Sequence, residues 1–403
     1  MDSCNFKFRF GLISCWLLLV STISCTLQWI YTRSITLNAG KIESVNKINN
    51  INIYPTRNYT IEDYKQITAH VQQRFYDLQN PYDCKKARKV VCDTRTNGFG
   101  SEVHLLTICL TIGFMTNRTV IIESEQSQYS KTGWNGLLLP MSNNCTQLYN
   151  QTSQLVLSLF KSDDMPVIKV GYKSFYFDLQ LILPHYIVDV VKCFHSDPQL
   201  WWAGQIANYI LRPTQRVRNL IAKQKQDLGF QNVIVGLQVR RTDKLSEAYY
   251  YNLTDYMDIA EKWYNDYEKT SGYTKVKRRI FLATDVPDVV LEAKKSYPAY
   301  KFINDINATI AANKRETRFT FSSLSDIIVD IFLLSMCDYI VCTMTSNVCR
   351  LAYELMQSRH IDASTYAKSL DCDYYIQRLY KAHCKKQPTR VEQLMNITHN
   401  TFQ

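Results

Sequence analysis

The residues best suited to do chemistry follow an apolar run rich in β-branched side chains. The segment VIVGLQVRRTDK, Val233 to Lys244, predicts a buried strand that ends abruptly in Arg240 and Arg241. Ligands of open α/β sheets bind at the carboxyl ends of the strands, and a guanidinium group binds phosphate oxygens through two parallel hydrogen bonds. This placement indicates a phosphate or diphosphate site. The alternative is that both arginines pair with surface carboxylates.

Three other predicted strand ends carry compatible groups. Asp285 closes the segment IFLATD, and Thr345-Ser346-Asn347 follows YIVCTM and opens a helix. Ser346 is therefore a candidate helix N-cap beside backbone amides that favour an anion. Asn97-Gly98-Phe99-Gly100-Ser101 lies between a strand and a helix, where two glycines would let the backbone approach a ligand closely. The alternative interpretation of this loop is a tight turn.

Two further carboxylates suggest roles in the same chemistry. Asp330 interrupts the apolar helix IIVDIFLLSM, where an unpaired carboxylate would be costly, so it needs a protein cation or ligand donors. We favour a guanine base, which presents two adjacent N–H groups. Glu247 lies three residues beyond Lys244 and could remove a proton from a hydroxyl group. The alternative for Glu247 is an exposed glutamate without a function.

We expect no metal ion and no organic cofactor. Asp371-Cys372-Asp373 has the Asp-x-Asp spacing of many metal-dependent sugar transferases, but it lies late in the chain and outside a strand end. The sequence contains no HExxH motif. Cys337, Cys342 and Cys349 predict a disulfide and one spare cysteine rather than a zinc site.

The elements that must position these residues alternate between strands and helices. This order predicts an α/β fold with two doubly wound halves joined near residues 210–230. The predicted strands are RKVVCDT, RTVIIES, NVIVGLQV, RRIFLATD, YKFIND and YIVCTMTS. The predicted helices are IEDYKQITAHVQQRFYDL, SEVHLLTICLTIGFM, YMDIAEKWYNDYEK, SLSDIIVDIFLLSM and NVCRLAYELMQ.

The amino end predicts a membrane anchor. Residues 11–31 carry no charge and would span a hydrocarbon core of about 30 Å, with Lys7 and Arg9 on the cytosolic side. A cleaved signal peptide is the alternative. Either topology places the globular part in an oxidising compartment, and ten of the thirteen cysteines follow the anchor. Seven Asn-x-Ser/Thr sequons agree with this: Asn58, Asn117, Asn144, Asn150, Asn252, Asn307 and Asn396.

The composition argues against a nucleic-acid-binding protein. Of 403 residues, 46% are hydrophobic and 21% charged, as in an ordinary globular protein, and the formal net charge is +11. The basic residues are diffuse, and we find no dense Lys/Arg block with interleaved aromatic residues. We expect no nucleic-acid partner.

Taken together, these segments resemble the α-1,6-fucosyltransferases that add core fucose to N-glycans. The resemblance covers about residues 76–375. Its strongest blocks are VGLQVRRTDK, RIFLATD, YPAYKFIND, DIIVDIFLLSMCDYIVCTMTSNVCRLAYELMQ and DASTYAKSLD. Upstream, NPYDCKKARKVVC, RTVIIES, GWNGLLLP and HSDPQLWWAGQIANYILRP also resemble the family.

The resemblance implies a GT-B-like α/β fold with two Rossmann-like halves and an inverting, metal-independent transfer of L-fucose from GDP-fucose to the innermost GlcNAc of N-glycans. It implies a single-pass type II protein of the Golgi membrane with a luminal catalytic domain, and it allows a homodimer. Alternatives are a different glycan acceptor or a non-catalytic binding protein. The expected divisions are a cytosolic tail 1–10, an anchor 11–31, a stem 32–75, an N-terminal domain 76–225, a GDP-fucose-binding domain 226–385 and a tail 386–403.

The resemblance also implies roles for individual residues. Arg240 would hold the donor β-phosphate, Asp330 the guanine, and Glu247 would act as the base assisted by Lys244. The further donor-site positions are Arg241, Asp243, Tyr256, Asp285, Ser346, Asn347, Tyr129, Gly98, Phe99, Gly100 and Gln238. The implied disulfides are Cys84–Cys145, Cys92–Cys109 and Cys342–Cys349.

Several positions depart from the family pattern. Gln238 stands where a histidine is usual, and Val286 replaces a second aspartate after Asp285. The Lys244–Glu247 gap is one residue shorter, and the cysteine pair expected around Gly98–Ser101 is missing. We also expect a form without the family's C-terminal SH3 domain.

Overall fold

The computed structural model describes most of the chain from residue 58 to residue 374. The described ranges are 58–93, 98–122, 128–130, 133–149, 154–155, 165–170, 183–242, 249–272 and 275–374. The predicted anchor and cytosolic tail, most of the predicted stem and the C-terminal tail lie outside these ranges. So do Asp243, Lys244 and Glu247.

The first sheet is parallel and has four strands. They are β1 (Lys89–Cys92), β2 (Thr119–Ile122), β3 (Gln154–Leu155) and β4 (Val167–Val170). The strand order is β2-β1-β4-β3, and all three pairings are parallel. All four residues of β1 are buried, as expected of a central parallel strand that is covered on both faces.

Five helices lie in the same half of the chain as this sheet. They are α1 (Ile61–Gln79), α2 (Phe99–Thr116), α3 (His185–Val191), α4 (Pro198–Ile210) and α5 (Gln215–Asp227). Helix α2 is apolar on almost every face and packs against β1 and α4. It is the one helix in the described ranges that is long and apolar enough to cross a membrane, and 83% of its most apolar stretch is buried inside the protein.

The second sheet is parallel and has five strands. They are β5 (Val235–Val239), β6 (Arg279–Thr284), β7 (Lys301–Ile303), β8 (Tyr339–Cys342) and β9 (Ala367–Ser369). Their order is β7-β6-β5-β8-β9. The chain runs outward from β5 to β7 and then crosses back to β8, so the strand order reverses between β5 and β8. Such a reversal opens a crevice at the carboxyl edge of the sheet, where Rossmann-like proteins bind ligands.

Six helices lie in the second half of the chain. They are α6 (Leu253–Ser271), α7 (Pro287–Ser296), α8 (Ile306–Asn313), α9 (Arg315–Arg318), α10 (Phe321–Leu334) and α11 (Asn347–Gln357). Gly236 of β5 lets α10 approach closely, because a Cβ atom there would lie 2.9 Å from the Leu334 side chain. On the other face, buried residues of α6 form a hydrophobic core with β5 and β6.

Helix α11 connects the two sheets. Its closest helical neighbour is α4, and it also packs against α2 and α10. Gly204 of α4 allows this approach, because a Cβ atom there would lie 2.6 Å from the carbonyl oxygen of Glu354 and 2.7 Å from Cβ of Gln357. Residues Gln66–Gln403 form one compact unit that contains both sheets. The division into two domains at residue 225 stays a prediction.

The three implied disulfides are all confirmed. Cys84 pairs with Cys145, Cys92 of β1 with Cys109 of α2, and Cys342 at the end of β8 with Cys349 in the first turn of α11. Cys337 is a free, buried thiol, as the sequence predicts.

The alternating order of strands and helices is also confirmed. Every strand and helix predicted from the sequence has a counterpart in the structure, and the expected join at 210–230 contains helix α5. The segments that the predictions left out are short or lack a clear period. They are β3, β4, β9, α3, α4, α5, α7, α8 and α9.

Candidate active site

Because all the strands of the second sheet are parallel, their carboxyl ends meet at one edge. Arg240 follows β5, Asp285 follows β6 and Asp305 comes shortly after β7. Across the reversal in strand order, the turn Thr343–Ser346 follows β8. The crevice expected of this topology therefore lies between Arg240 and that turn, and the sequence-predicted strand-end residues share one edge.

Arg240 lies near Tyr129 of the first half of the chain. Burial raises the pKa of the Tyr129 phenol, and the positive charges of Arg240 and Arg318 oppose that rise. The phenol oxygen also accepts a hydrogen bond from the Phe99 backbone N–H, and its ring packs on Phe319 with centroids 5.6 Å apart. Tyr129, Phe99 and Arg240 were predicted as one site, and the structure brings them together.

Arg241 contacts the protein on three sides. Its guanidinium lies 4.6 Å from the Tyr250 ring centroid, donates to the Tyr251 carbonyl at 3.2 Å and lies 3.5 Å from a carboxylate oxygen of Glu292. The carboxylate-pairing alternative therefore describes Arg241. Burial raises the pKa of Tyr256, and the positive charge of the nearby Arg241 partly offsets this rise.

Asp285 holds the loop that follows β5. Its carboxylate accepts hydrogen bonds from the Arg241 backbone N–H at 2.9 Å and from the Thr242 hydroxyl at 2.6 Å. Arg318 lies 3.8 Å from the same carboxylate and also donates to the Thr242 hydroxyl. This buried group therefore fixes the backbone that carries Arg240.

Asp330 has the environment of a ligand-binding carboxylate. Burial raises its pKa to about 8, and the neighbouring carboxylates of Asp326 and Asp305 add to the rise. Within the described ranges, no Lys, Arg or His forms an ion pair or hydrogen bond with Asp330. The sequence analysis allowed either a protein cation or ligand donors as the partner of Asp330. A protein cation is not found among the described residues. The Asp305 carboxylate, at the carboxyl edge of the sheet just after β7, acts electrostatically on Asp330.

The turn after β8 is held by a residue that the sequence analysis had set aside. Asp371 accepts hydrogen bonds from the Met344 N–H at 2.8 Å, the Thr345 N–H at 3.3 Å and the Thr345 hydroxyl at 2.6 Å. The Cys342–Cys349 disulfide closes the same turn. Asp371 was expected to lie outside any strand end. That expectation was wrong, because residues 367–369 form the edge strand β9.

Ser346 occupies the N-cap position of α11, but its side chain does not cap the helix. The hydroxyl oxygen is buried and has no hydrogen-bond partner among the described residues. The predicted N-cap position is therefore confirmed, although Ser346 Oγ accepts no hydrogen bond from the amides of α11. The unpartnered hydroxyl stands at the amino end of α11, beside amides that favour an anion.

Gly98–Gly100 approaches this turn as the amino end of α2, because the helix begins at Phe99 with Gly98 as its N-cap, and the predicted loop is therefore shorter than expected. A Cβ atom at Gly100 would lie 2.6 Å from Cβ of Asn347, so glycine is required there by the neighbouring helix rather than by a ligand. A Cβ atom at Gly98 would lie 3.7 Å from the Tyr129 hydroxyl, which is ordinary contact. Packing against α11 therefore accounts for the glycine at position 100. It does not account for the glycine at position 98, where close approach of a ligand remains the predicted reason.

Two further polar groups of the site are buried. Gln238 of β5 is 5% exposed, and its side-chain amide oxygen, Oε1, has no hydrogen-bond partner among the described residues. Glu102, in the first turn of α2, was missed by the sequence analysis. It is 3% exposed, accepts one hydrogen bond from the Trp134 indole at 3.2 Å, and burial raises its pKa to about 7. Its acidic side chain in an otherwise apolar helix was the available signal.

The described ranges contain no group of three or more His, Cys, Asp or Glu side chains arranged to hold a metal ion.

Comparison with known proteins identifies the family. The family model for the alpha-(1,6)-fucosyltransferase N- and catalytic domains matches residues 31–375. An alpha-(1,6)-fucosyltransferase of Drosophila melanogaster is 39% identical over 326 residues, which cover 78% of this chain and 51% of that protein. One of Caenorhabditis elegans is 33% identical over 332 residues, covering 78% of this chain and 58% of that protein. The chain spans about half the length of the curated relatives that it matches.

Solved structures are also similar to this chain. One is fucosyltransferase NodZ from Bradyrhizobium, with a TM-score of 0.43 and 15% identity over 66% of this chain and 92% of that chain. Another is POFUT1 in complex with GDP-fucose, with a TM-score of 0.38 and 11% identity over 67% of this chain and 94% of that chain. The assignment rests on the sequence matches: this chain belongs to the alpha-(1,6)-fucosyltransferase family.

Proposed function

We propose that this protein transfers L-fucose from GDP-fucose to the 6-hydroxyl of the innermost GlcNAc of N-glycans. The observation that carries the proposal is Asp330, a recessed carboxylate without a cation partner among the described residues, at the sheet edge that also carries Arg240. A carboxylate can accept both N–H groups of a guanine, and an arginine can bind a diphosphate. The family membership and the names of the relatives support the same donor.

The donor would lie across the crevice between β5 and β8. Asp330 binds the guanine, and the unpartnered side-chain oxygen of Gln238, Oε1, is available as a second acceptor. Arg240 binds the β-phosphate from one side. The amino end of α11, with the unpartnered Ser346 hydroxyl and Asn347, binds the diphosphate from the other. Tyr129 and Gly98–Gly100 close the site from the first half of the chain.

The reaction is an inverting displacement at the anomeric carbon of fucose. Glu247, assisted by Lys244, removes the proton of the acceptor 6-hydroxyl as the oxygen attacks. The bond to the β-phosphate oxygen breaks, and Arg240 stabilises the negative charge on departing GDP. Asp285 supports this arrangement by holding Arg241 and Thr242, the residues next to Arg240. These roles for Glu247, Lys244 and the neighbouring Asp243 follow from the family pattern.

The same proposal covers the cellular setting. Residues 11–31 anchor the protein in the Golgi membrane with the catalytic part in the lumen, and transfer proceeds without a metal ion. Five of the seven sequon asparagines lie in the described ranges, and all five are exposed: Asn58, Asn117, Asn144, Asn252 and Asn307. Exposure is what a luminal glycoprotein requires at such sites.

A transfer assay tests the proposal directly. The purified chain is incubated with GDP-fucose and a GlcNAc-terminated biantennary N-glycan, with and without EDTA, beside Arg240→Ala. We expect EDTA-resistant transfer to the innermost GlcNAc that the substitution reduces by about 10²–10³-fold. Binding of GDP-fucose without transfer to this glycan would indicate another acceptor, and absence of GDP-fucose binding would overturn the proposal.

A further inference from the structure

A buried histidine links α2, whose amino end is Gly98–Gly100, to α11, the helix that follows β8. His104 of α2 is 6% exposed. Its Nδ1 lies 3.1 Å from Oδ1 of Asn347, and its Nε2 lies 3.0 Å from Oε1 of Glu354. Both partners belong to α11. One imidazole therefore contacts the first residue of α11 and a residue two turns further along the same helix.

The hydrogen bonds of Asn347 decide which imidazole nitrogen carries a hydrogen. Arg350 donates to Asn347 Oδ1, and a guanidinium can only donate, so this atom must be the amide oxygen. The amide nitrogen of Asn347 donates to the Ser101 hydroxyl at 2.6 Å. Because Nδ1 of His104 faces an oxygen, Nδ1 must be a donor to Asn347. Sequence analysis assigned no role to His104.

The other side of the ring faces a fully buried carboxylate. Glu354 is 0% exposed, accepts a hydrogen bond from the Tyr374 hydroxyl at 2.8 Å, and its second oxygen has no hydrogen-bond partner among the described residues. Burial and the charge of Arg350 lower the pKa of His104, and Glu354 opposes this shift. Nε2 therefore faces Oε1 of Glu354 at 3.0 Å, while Nδ1 donates to Asn347 on the other side of the ring.

The first residue of α11 is consequently enclosed on three sides. Gly100 lies against its Cβ atom, Ser101 accepts from its amide nitrogen, and His104 donates to its amide oxygen. We propose that His104 is a positioning residue, whose Nδ1–H holds Asn347 and the amino end of α11 in the arrangement that receives the donor diphosphate. This inference rests on the proposed donor site.

Two substitutions separate this role from simple packing. The amide nitrogen of an asparagine takes the place of Nδ1, and that of a glutamine takes the place of Nε2. His104→Asn therefore keeps a donor toward Asn347 and loses the contact with Glu354. His104→Gln keeps the contact with Glu354 and loses the donor toward Asn347. If His104 only held α2 and α11 together, both variants would weaken GDP binding equally.

The control removes a buried hydrogen bond from the same helix at a distance from Asn347. The Thr111 hydroxyl of α2 accepts from the Trp202 indole at 3.1 Å and donates to the Thr107 carbonyl. Thr111→Val loses these bonds and leaves the first turn of α11 untouched. It reports what lost stability alone does to ligand binding.

The experiment measures GDP binding by isothermal titration calorimetry and thermal unfolding on the full chain in detergent. We expect His104→Gln to raise the Kd for GDP by about tenfold, the value of one hydrogen bond at a binding site. We expect His104→Asn to raise it by less than about threefold and Thr111→Val to lower only the melting temperature. An equal rise in Kd for both His104 variants, or wild-type binding by His104→Gln, would overturn the inference.

A further variant covers the case in which both His104 variants fail to fold. Ser101→Ala removes the hydroxyl that accepts a hydrogen bond from the Asn347 amide nitrogen. It leaves the contact between His104 and Glu354 intact. A raised Kd for GDP in this variant supports the positioning of Asn347, and an unchanged Kd overturns it. If the wild-type chain itself does not bind GDP, the proposed function fails. Wild-type binding with unaffected variants contradicts the role of His104 alone.

Discussion

Asp326 and Asp330 lie one helical turn apart on α10, and neither carboxylate has a cation partner among the residues that the structure describes. Burial raises the pKa of Asp326 to about 6 and that of Asp330 to about 8. The Asp326 and Asp305 carboxylates contribute to the shift at Asp330. In the free protein, Asp330 therefore carries a proton at neutral pH, although guanine recognition needs the ionised form.

The affinity for GDP should consequently rise with pH. Below a pH of about 8, binding must release the proton of Asp330, so we expect the Kd for GDP to fall by up to about tenfold per pH unit and to level off above about 8. Calorimetry in buffers of different ionisation enthalpy should detect the released proton. Asp326→Asn should lower the pH at which the affinity levels off, while Asp258→Asn, an exposed residue of α6, should not. A Kd that is independent of pH would contradict Asp330 as the guanine-binding carboxylate.

Arg240 should support fucose transfer through its paired N–H donors as well as through its positive charge. Arg240→Lys keeps the charge and loses the paired hydrogen bonds to phosphate, so we expect transfer to fall by about tenfold to a hundredfold. Steady-state kinetics with GDP-fucose measures this change. Arg278→Lys is the matched control, because Arg278 precedes β6 at the opposite sheet edge and binds Glu268 at 3.2 Å. Equal losses in the two variants would contradict a donor-binding role for Arg240.

Asp371 should support the donor site without binding a metal. Asp371→Ala removes the acceptor for two backbone N–H groups and one hydroxyl of the turn after β8. We expect the free energy of unfolding to fall by about 1–3 kcal/mol and the KM for GDP-fucose to rise, while added Mn²⁺ leaves both wild-type and variant rates unchanged. Chemical denaturation and kinetics measure the two effects. Loss of a Mn²⁺ stimulation that the wild type shows would instead assign a metal to the Asp-x-Asp motif.

Glu102 should make stability depend on pH. Its folded-state pKa is about 7 and its ordinary value is 4.5, so the stability that it contributes is fully present below about 4.5 and is lost as pH rises through about 7. Glu102→Gln keeps an acceptor for the Trp134 indole and does not ionise. We expect this variant to exceed the wild type in unfolding free energy by up to about 3 kcal/mol near pH 8, and by less than about 1 kcal/mol near pH 5.

Urea unfolding at the two pH values measures this difference. Glu316→Gln, at an exposed position of α9, is the control and should show the same difference from wild type at both. A Glu102→Gln difference that does not change with pH would mean that the buried carboxylate does not titrate in this range.

The residues at the strand ends could be predicted because local pattern determines them. An apolar run followed by Arg240 and Arg241 must be a buried strand with charge at one end, and parallel strands bring such ends to one edge. The three disulfide pairings came from the family resemblance, since spacing alone allows many pairings.

The partners of those residues could not be predicted in the same way. Arg240 and Arg241 are adjacent and identical in type, yet Arg241 contacts Tyr250 and Glu292, while the charge of Arg240 acts on Tyr129. Asp371 supports a turn more than twenty residues before it, because the edge strand β9 brings them together. Such pairs are separated along the chain by distances over which local periodicity carries no information.

The sequence by itself determined the alternating strands and helices, the carboxyl-edge location of the site and the chemical types of the groups there. Only the tertiary structure decided that α11 packs across both sheets, that His104 and Glu354 meet inside it, and that Asp330 lacks a cation among the described residues. The physical reason is that periodicity and strand order follow from neighbours in the chain. Burial and hydrogen-bond partners depend on which distant surfaces pack together.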